Sequence, residues 1–299
     1  MRVVQGYGTY PEHSDNLHFI EGIRQCAAVV LQWKTVFPQD KVTLVCGGGI
    51  IPIVKQLISE LGYSPWDNIE EVSDSVNRKI MDYGLYTAYR WYCLRYLPPE
   101  GGIFLDPDIF VYPEGTVELK KAREDIESGK TLFLGEYYQG YFEPDITEDQ
   151  KKILGVDLTG LTNMNSGFMA ISGNYGTYLG NYILDLQHIA RTKIEESQQM
   201  RVLEVIDGCG PKVYCRKHGI GSRVIPIEYM AHTTGASLPA FVMGDLGLPG
   251  DYGEQSVLLR KKYILQYIDY ILRKKQGHSR DECLSIFLDI HKKFKESRV

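Results

Sequence analysis

The chain has 299 residues, of which 43% are hydrophobic and 24% are charged. This is the composition of a globular protein, and it argues against a disordered chain. The formal net charge of -5 argues against a surface that binds polyanions over its whole extent. The length fits one large domain or two small ones.

Short apolar segments alternate with longer segments of helical periodicity in the first part of the chain. In chain order, we predict a strand over 2–7, a helix over 17–37, a strand over 41–46, a helix over 50–61, a helix over 75–97 and a strand over 102–105. This alternation predicts a Rossmann-like α/β fold with a mainly parallel central sheet flanked by helices. Ligands bind beyond the carboxyl ends of strands in such sheets, and three segments follow predicted strands in this way: 6–9, 47–49 and 106–108.

The pattern changes in the second half of the chain. There we predict strands over 131–135, 167–171 and 224–227, helical structure over 177–205, and closing helices over 258–275 and 282–295. Residues 260–299 contain 11 Lys and Arg against 5 Asp and Glu, so this tail carries +6 and the rest of the chain -11. The simplest partition is a catalytic domain over 1–259 followed by basic C-terminal helices over 260–299.

The cysteines and the chain start favour an intracellular protein. The six cysteines include no C-x-x-C pair, which favours reduced thiols over a zinc ribbon or a dense disulfide framework. The first residues run directly into a strand and lack the regions of a signal peptide. No run approaches about 20 apolar residues, so we predict no transmembrane segment. We predict a cytoplasmic protein, and a peripheral position at a membrane is an open alternative.

The strongest chemical signal is the apolar strand that ends in Asp106-Pro107-Asp108. Two carboxylates at a strand end project into the ligand crevice, and hard oxygen ligands suit Mn²⁺ or Mg²⁺ bound to substrate phosphates. Pro107 stiffens the turn between them because its ring fixes φ. The structural alternative is an ordinary acidic turn, since aspartate is common in turns.

Two later segments place polar groups near predicted strands. Asn165 and Ser166 stand directly before an apolar strand that begins at Gly167. The Asn165 amide offers a donor and an acceptor to a sugar hydroxyl pair, and Gly167 permits close approach of a ligand. His232 opens a loop of small residues that includes Gly235, which makes it a candidate third metal ligand. A structural histidine and a plain turn are the alternatives for these segments.

Taken in order, these three segments resemble motifs of the metal-dependent GT-A glycosyltransferases. The likeness is greatest to the retaining glycogenin-like family, which includes bacterial lipopolysaccharide galactosyltransferases. That family has Leu-Asp-x-Asp at a strand end, then Asn-Ser/Ala-Gly, then His-x-x-Gly with a downstream proline. This chain shows the three motifs at 105–108, at 165–167 and at His232, Gly235 and Pro239. The run over 101–106 also resembles a second Asp-x-Asp family of glycosyltransferases, whose hallmark is Gly-Gly-Ile-Tyr-Leu-Asp.

The resemblance implies a GT-A fold and a nucleotide-sugar donor, with UDP as the commonest carrier. It implies Mn²⁺ or Mg²⁺ held by Asp106, Asp108 and His232. It implies a catalytic set of Arg90, Asn165 and Asp207, with Arg90 beside the donor sugar and the other two on its hydroxyls. The residues that it places around the donor are Tyr7, Thr9, Arg90, Asp106, Asn165, Ser166, Gly167 and Gly235. The match at Asp207 is weak, because the chain lacks the family's Asp-Gln-Asp string there.

Several alternatives stay open on the sequence. The resemblance implies retention of configuration, whereas inversion would need a carboxylate base such as Glu136, Asp145, Glu228 or Asp251. The acceptor is a glycan, a lipid-linked sugar or a modified nucleic-acid base. The basic tail would meet an anionic membrane or nucleic-acid phosphates, or it packs as two ordinary solvated helices.

Two other functions compete with sugar transfer. A phosphotransferase of the haloacid dehalogenase type also carries Asp-x-Asp after an apolar strand. It expects Thr or Val two residues beyond the second aspartate, where this chain has Phe110. A non-catalytic nucleotide-sugar or nucleic-acid binding protein is the third hypothesis.

Overall fold

The computed structural model describes residues 1–8, 17–83, 88–106, 110–111, 116–128, 133–136, 146–162, 164–224 and 242–243. The strands of its main sheet are β1 (Arg2–Tyr7), β2 (Lys41–Gly47), β3 (Asn68–Val72), β4 (Gly101–Leu105), β6 (Phe133–Glu136), β7 (Asn165–Ser172) and β8 (Ser222–Val224). Within the described residues, these strands lie in the spatial order β3-β2-β1-β4-β7-β6-β8. Two short strands, β5 (Phe110–Val111) and β9 (Val242–Met243), pair with each other in antiparallel fashion.

The main sheet is mostly parallel. Strand β1 pairs in parallel with β2 and β4, β2 pairs in parallel with β3, and β6 pairs in parallel with β8. Strand β7 runs antiparallel to both of its neighbours, β4 and β6. The predicted mainly parallel α/β sheet is therefore confirmed, with one reversed strand in its interior.

Helices cover both faces of this sheet. They are α1 (Leu17–Val36), α2 (Ile51–Leu61), α3 (Asp74–Tyr83), α4 (Ala88–Cys93), α5 (Thr116–Glu127), α6 (Glu148–Leu154), α7 (Tyr175–Lys193) and α8 (Glu196–His218). Side chains of consecutive strand residues point to opposite faces. Accordingly, Val3 and Ile103 belong to the core beneath α1, α2 and α5. Val4 and Phe104 belong to the core beneath α4, α7 and α8.

Most predicted elements are confirmed to within a few residues. The strands β1, β2 and β4 and the helices α1 and α2 lie where the patterns place them, and Gly62 closes α2 in a left-handed conformation with φ of 73°. Strand β3 was not predicted, because it is a polar edge strand in which four of five residues are exposed. The single helix expected over 75–97 is described as α3 and α4, which lie on either side of residues 84–87.

Residues 177–205 are helical as predicted, apart from a break at residues 194–195 that divides them between α7 and α8. The chain leaves helical geometry at Ile194 (φ -104°, ψ 143°), between α7 and α8. The side chain of Gln199 donates to the carbonyl oxygens of Arg191 and Ile194, at 3.0 and 2.9 Å. Because these hydrogen bonds satisfy carbonyl groups at the end of α7, the break is a stable turn.

Other predictions about the chain are only partly covered by the described residues. The strand predicted over 224–227 begins earlier, at Ser222. The boundary at residue 259, the helices over 260–299 and the cysteine at 283 lie outside the described residues. The five cysteines within them are buried and form no disulfide. Among the helices that the structure describes, none is long and apolar enough to cross a membrane.

The edge of the sheet opposite the predicted ligand side carries a buried ion cluster around Asp40. The Asp40 carboxylate accepts hydrogen bonds from Trp33 Nε1 at 2.9 Å, from the Met1 ammonium group at 2.9 Å and from both terminal nitrogens of Arg123. Burial alone would raise the pKa of the Asp40 carboxyl, but the hydrogen bonds from Arg123, Met1 and Trp33 outweigh it and lower the pKa. The cluster ties α1 and α5 to the start of β2.

We expect Asp40→Asn to lower the free energy of unfolding by about 3 kcal/mol near neutral pH, because it leaves buried cations without their counterion. A carboxyl group whose pKa is lowered on folding stabilises the protein at any pH above its unfolded pKa of about 4. This stabilisation is lost as the pH falls through the lower pKa of the folded state. Wild-type stability should therefore fall over this acid window more steeply than that of Asp40→Asn. Urea unfolding from neutral pH down to acid pH measures both effects.

The matched control is Asp149→Asn, because the Asp149 side chain is 88% exposed in an ion pair with Lys152. An exposed pair of this kind contributes about 0.5 kcal/mol or less. Equal stability of Asp40→Asn and Asp149→Asn, or parallel pH dependence of Asp40→Asn and wild type, would contradict the role given to Asp40.

Candidate functional site

The reversed strand β7 brings two distant motifs together at one edge of the sheet. Because β4 and β7 are antiparallel, β7 begins where β4 ends, with Leu105 opposite Phe168. The backbone N–H of Asp106 donates to the carbonyl oxygen of Gly167 at 2.7 Å. The predicted motifs at 106–108 and 165–167 therefore start side by side, at the edge where β1 and β2 also end.

A single guanidinium group joins four parts of the chain at this edge. Arg90, on α4, donates from Nε to Asp106 Oδ1 at 3.3 Å and from Nη2 to Asp106 Oδ2. Its Nη1 donates to Ser166 Oγ at 2.6 Å and to Asp207 Oδ2 at 2.9 Å. The planar fork of arginine suits such multiple contacts with carboxylates. The side chains of Arg90, Asp106 and Asp207 are only 10%, 14% and 16% exposed, so their charges compensate one another with little water between them.

The Asp207 carboxylate is held from two sides. Trp91 Nε1 donates to Asp207 Oδ1 at 2.6 Å, and Ser166 Oγ lies 3.3 Å from Asp207 Oδ2. Asp207 stands inside α8, four residues before Pro211. Proline has no N–H to donate to the carbonyl group four residues earlier. That carbonyl oxygen of Asp207 instead lies 3.4 Å from Ser166 Oγ.

The same part of α8 fixes the loop that leads into β7. The backbone N–H of Met164 donates to the carbonyl oxygen of Gly208 at 3.0 Å. Lys212 Nζ donates to the carbonyl oxygen and the hydroxyl group of Thr162, both at 2.7 Å. The segment 207–212 therefore sets the position of the chain just before Asn165 and Ser166.

Glycines at the strand ends allow α4 to approach the sheet closely enough to place Arg90. A Cβ atom at Gly8 would overlap the ring of Tyr89, and one at Gly47 would overlap its hydroxyl group and Asn77. Tyr89 is buried and donates its hydroxyl hydrogen to Asn77 Oδ1 on α3. Burial raises the pKa of Tyr89, so its hydroxyl group stays protonated as that donor. These strand-end glycines, expected to face a ligand, here make room for α4.

The structure brings together four of the predicted site residues: Arg90, Asp106, Ser166 and Asp207. Gly167 contributes its carbonyl group to the same edge. Tyr7 lies farther into the domain, with its hydroxyl group so close to α1 that a Cβ atom at Gly22 would overlap it. Burial raises the pKa of Tyr7. Contact of Tyr7 with a nucleotide base stays a prediction.

The remaining predicted residues fall outside the described part of the chain. They are Thr9, Asp108, His232 and Gly235, the side chains of Asn165 and Glu136, and the other candidate bases Asp145, Glu228 and Asp251. Their roles stay predictions. The backbone of Asn165 is described, and it opens β7 opposite the end of β6.

Asp106 is the predicted metal ligand that the structure describes. No group of three or more His, Cys, Asp or Glu side chains within the described residues is arranged to hold a metal ion. Each oxygen of the Asp106 carboxylate accepts a hydrogen bond from Arg90. A carboxylate oxygen has two lone pairs, so one that accepts an N–H hydrogen bond can also bind a cation. The donor chemistry of Asp106 thus fits Mn²⁺ or Mg²⁺, both of which prefer hard oxygen ligands.

Three contributors to the site were not predicted: Trp91, Lys212 and Tyr89. Trp91 and Tyr89 flank Arg90 in a stretch rich in aromatic residues, where hydrophobic periodicity marks them as core side chains. Their burial agrees with that pattern. Periodicity does not report where an indole N–H or a phenol O–H points, so their polar contacts had no signal in the sequence.

Comparisons with known proteins identify the fold. No protein-family model matches the sequence, and no curated protein matches it significantly. The solved structure of the galactosyltransferase LgtC, in complex with donor and acceptor sugar analogues, matches with a TM-score of 0.50 at 12% identity, covering 93% of this chain and 97% of that one. The glycosyltransferase GlyE of Streptococcus pneumoniae TIGR4 gives 0.49 at 13% identity, covering 91% and 62%. Mouse xyloside xylosyltransferase 1 gives 0.44 at 10% identity, covering 81% and 96%.

At these identities the likeness concerns the fold. The match to LgtC extends over nearly the whole of both chains. The GT-A fold expected from the motifs is therefore confirmed.

Proposed function

We propose that this protein is a glycosyltransferase that moves a sugar from a nucleotide diphosphate sugar to a hydroxyl group of an acceptor. The observation that carries the proposal is the cluster of Arg90, Asp106, Ser166 and Asp207 at one edge of a GT-A sheet. Ligands of open α/β sheets bind beyond this edge. The two carboxylates and the hydroxyl group offer hydrogen-bond partners for sugar hydroxyls.

The charges of the cluster indicate which part of the donor lies beside Asp207. Asp207 faces a sugar rather than a phosphate, because a carboxylate accepts hydrogen bonds from hydroxyl groups and repels an anion. Arg90 compensates the charges of Asp106 and Asp207 and holds both side chains in place. A sugar bound beside Asp207 would thus be oriented by groups that are fixed before it arrives, which reduces the entropic cost of reaching the transition state.

We further propose a divalent cation, Mn²⁺ or Mg²⁺, held by Asp106, Asp108 and His232. When bound, it would neutralise the diphosphate and stabilise the departing nucleotide as a Lewis acid. Support comes from the position of Asp106 at the end of β4 and from the order of the sequence motifs. The same motifs support UDP as the carrier and retention of configuration.

A glycan or a lipid-linked sugar is the acceptor that we propose. The structure of LgtC contains an acceptor sugar analogue, and its fold resembles this one over most of the chain. No observation favours a modified nucleic-acid base. The basic residues over 260–299 are the proposed acceptor-side surface, on the basis of their net charge of +6.

A thermal-shift screen of nucleotide sugars, with and without Mn²⁺ or Mg²⁺, tests the proposal. A donor that binds the native state at 100 times its Kd stabilises the protein by about 2.7 kcal/mol, which raises Tm by several degrees. We expect at least one UDP-sugar to raise Tm in the presence of metal and to have little effect in EDTA. If no nucleotide sugar raises Tm under either condition, the proposal is wrong.

Turnover then separates an enzyme from a binding protein. The donor that raises Tm should release its nucleotide when a saccharide acceptor is added. A non-catalytic binding protein would show the thermal shift without release. A phosphotransferase of the haloacid dehalogenase type would release phosphate from phosphate esters, and would gain no stability from nucleotide sugars.

A further inference from the structure

The Asp207 carboxylate has most of its accepting capacity filled by the protein itself. A carboxylate offers about four lone-pair positions, two on each oxygen. On Oδ2, Arg90 Nη1 donates at 2.9 Å, and Ser166 Oγ lies at 3.3 Å, with its single hydrogen directed either to Oδ2 or to the Asp207 carbonyl oxygen. On Oδ1, the donor is Trp91 Nε1 at 2.6 Å. Among the contacts of the described residues, Oδ1 accepts this one hydrogen bond, so it keeps a second lone pair for a ligand.

Trp91 is a firmly placed donor. Its side chain is fully buried, and a Cβ atom at Gly180 of α7 would overlap its backbone oxygen, so α4 and α7 are in close contact here. The indole ring has a single polar group, which can only donate. A short hydrogen bond from such a fixed donor to a charged acceptor restricts rotation of the carboxylate. Arg90 and Trp91, consecutive on α4, thus hold the two oxygens of Asp207 separately.

We propose that Trp91 is a positioning residue that aims the remaining lone pair of Asp207 Oδ1 at a hydroxyl group of the donor sugar. This inference rests on the proposed function and adds to it the group that orients the sugar-binding carboxylate. The ligand at this subsite is a neutral hydroxyl donor, since the carboxylate would repel a phosphate. The nucleotide diphosphate part of the donor makes no contact with Trp91 or with Asp207 Oδ1.

The chain has three tryptophans, so the hydrogen bond from Trp91 to Asp207 can be followed through the NMR signal of the Trp91 indole N–H. Each indole N–H has a different acceptor: Trp33 donates to Asp40, Trp66 to the side chain of Gln5, and Trp91 to Asp207. In protein labelled with ¹⁵N-tryptophan, we expect three indole resonances, assigned by replacing Trp33 and Trp66 with phenylalanine. UDP-galactose or UDP-glucose with Mg²⁺, which is diamagnetic, should shift the Trp91 resonance, whereas UDP with Mg²⁺ should leave it near its original position. The Trp33 and Trp66 resonances should not move in either case.

Kinetics of Trp91→Phe test the same contact through its loss. The ring is retained and the N–H is removed, so Asp207 loses one charge-assisted hydrogen bond. We expect kcat for sugar transfer to fall by about tenfold to a hundredfold, with the affinity for UDP changed by less than about twofold. The matched control is Trp33→Phe, which removes an indole N–H from another carboxylate, that of Asp40, away from the site. Its kcat should equal that of wild type.

Failure of this inference can be told apart from failure of the proposed function. Binding of a nucleotide sugar with no movement of the Trp91 resonance would overturn the inference alone, and so would wild-type kcat in Trp91→Phe. An equal shift of Trp91 with UDP and with the UDP-sugar would also overturn it. Absence of binding by any nucleotide sugar would overturn the proposed function, and this inference with it. The titration uses wild-type protein, so it decides the question even if Trp91→Phe does not fold.

Discussion

Replacing Arg90 with alanine is expected to abolish sugar transfer and to lower the free energy of unfolding by about 2–4 kcal/mol. The Arg90 guanidinium group contacts Asp106, Ser166 and Asp207, and the charged side chains of Arg90, Asp106 and Asp207 are largely shielded from water. Removing one partner of a shielded ion pair leaves the other charges without compensation, and the loss is larger than for an exposed pair. Arg90→Lys should be intermediate, since a single ammonium group cannot reproduce the fork that contacts two carboxylates.

Urea unfolding and a nucleotide-release assay measure the two consequences separately. The matched control is Arg95→Ala, which removes an exposed arginine just beyond α4. Arg95 donates to the carbonyl oxygen of Tyr92 and to the side chain of Asn181, both at 3.1 Å. Neither of these partners belongs to the cluster around Arg90. We expect it to cost about 1 kcal/mol or less and to transfer sugar at the wild-type rate. Arg90→Ala with wild-type turnover would refute the proposed role of the cluster.

Asp106→Asn is expected to reduce turnover by about a thousandfold or more and to remove the metal dependence of donor binding. The substitution keeps the size of the side chain and leaves the hydrogen bond from the Asp106 backbone to Gly167 unchanged. It removes the negative charge that a divalent cation requires, because an amide oxygen is a weaker ligand for Mn²⁺ or Mg²⁺ than a carboxylate. Loss of charge stabilisation at the departing group of a transfer reaction has effects of this size.

The thermal shift given by the donor with Mn²⁺ checks this prediction independently of turnover. In Asp106→Asn, the donor should give the same small shift with Mn²⁺ as with EDTA. Asp74→Asn is the control, because Asp74 is an exposed carboxylate at the start of α3. It should retain both the metal-dependent shift and the turnover of wild type. A metal-dependent shift of wild-type size in Asp106→Asn would rule out Asp106 as a ligand.

The central strands could be predicted because their chemistry is local. The strand β4 is a run of five buried residues that begins with a glycine pair and is followed by an aspartate, and β1 and β2 are also largely buried. The proximity of Asp106 and Ser166 could not be predicted from their spacing in the sequence, because it depends on the antiparallel direction of β7 relative to its neighbours. The sequence alternation that indicates parallel strands carries no sign of one reversed strand.

Asp207 shows how packing can override a local signal. The sequence around it, Asp-Gly-Cys-Gly-Pro, contains residues that disfavour helices, and the helical stretch predicted from the sequence reaches only residue 205. In the structure α8 continues to His218, with Pro211 inside it. Gly210 leaves room for the side chain of Ile183 on α7, and the carbonyl oxygen that Pro211 leaves without a donor lies near Ser166 Oγ. The residues that disfavour a helix thus allow close packing of α7, β7 and α8 around the site.

The most direct test of sugar transfer is nucleotide release by the wild-type protein, measured first with Mn²⁺, then after addition of EDTA, and again after excess Mn²⁺ is restored. The donor is the nucleotide sugar that raises Tm in the screen, and a saccharide acceptor is present throughout. We expect release with Mn²⁺, arrest with EDTA and recovery when the metal returns, because the cation proposed to bind Asp106 would stabilise the departing nucleotide. Full release in EDTA, or no release from any nucleotide sugar in the presence of metal, would contradict a metal-dependent glycosyltransferase.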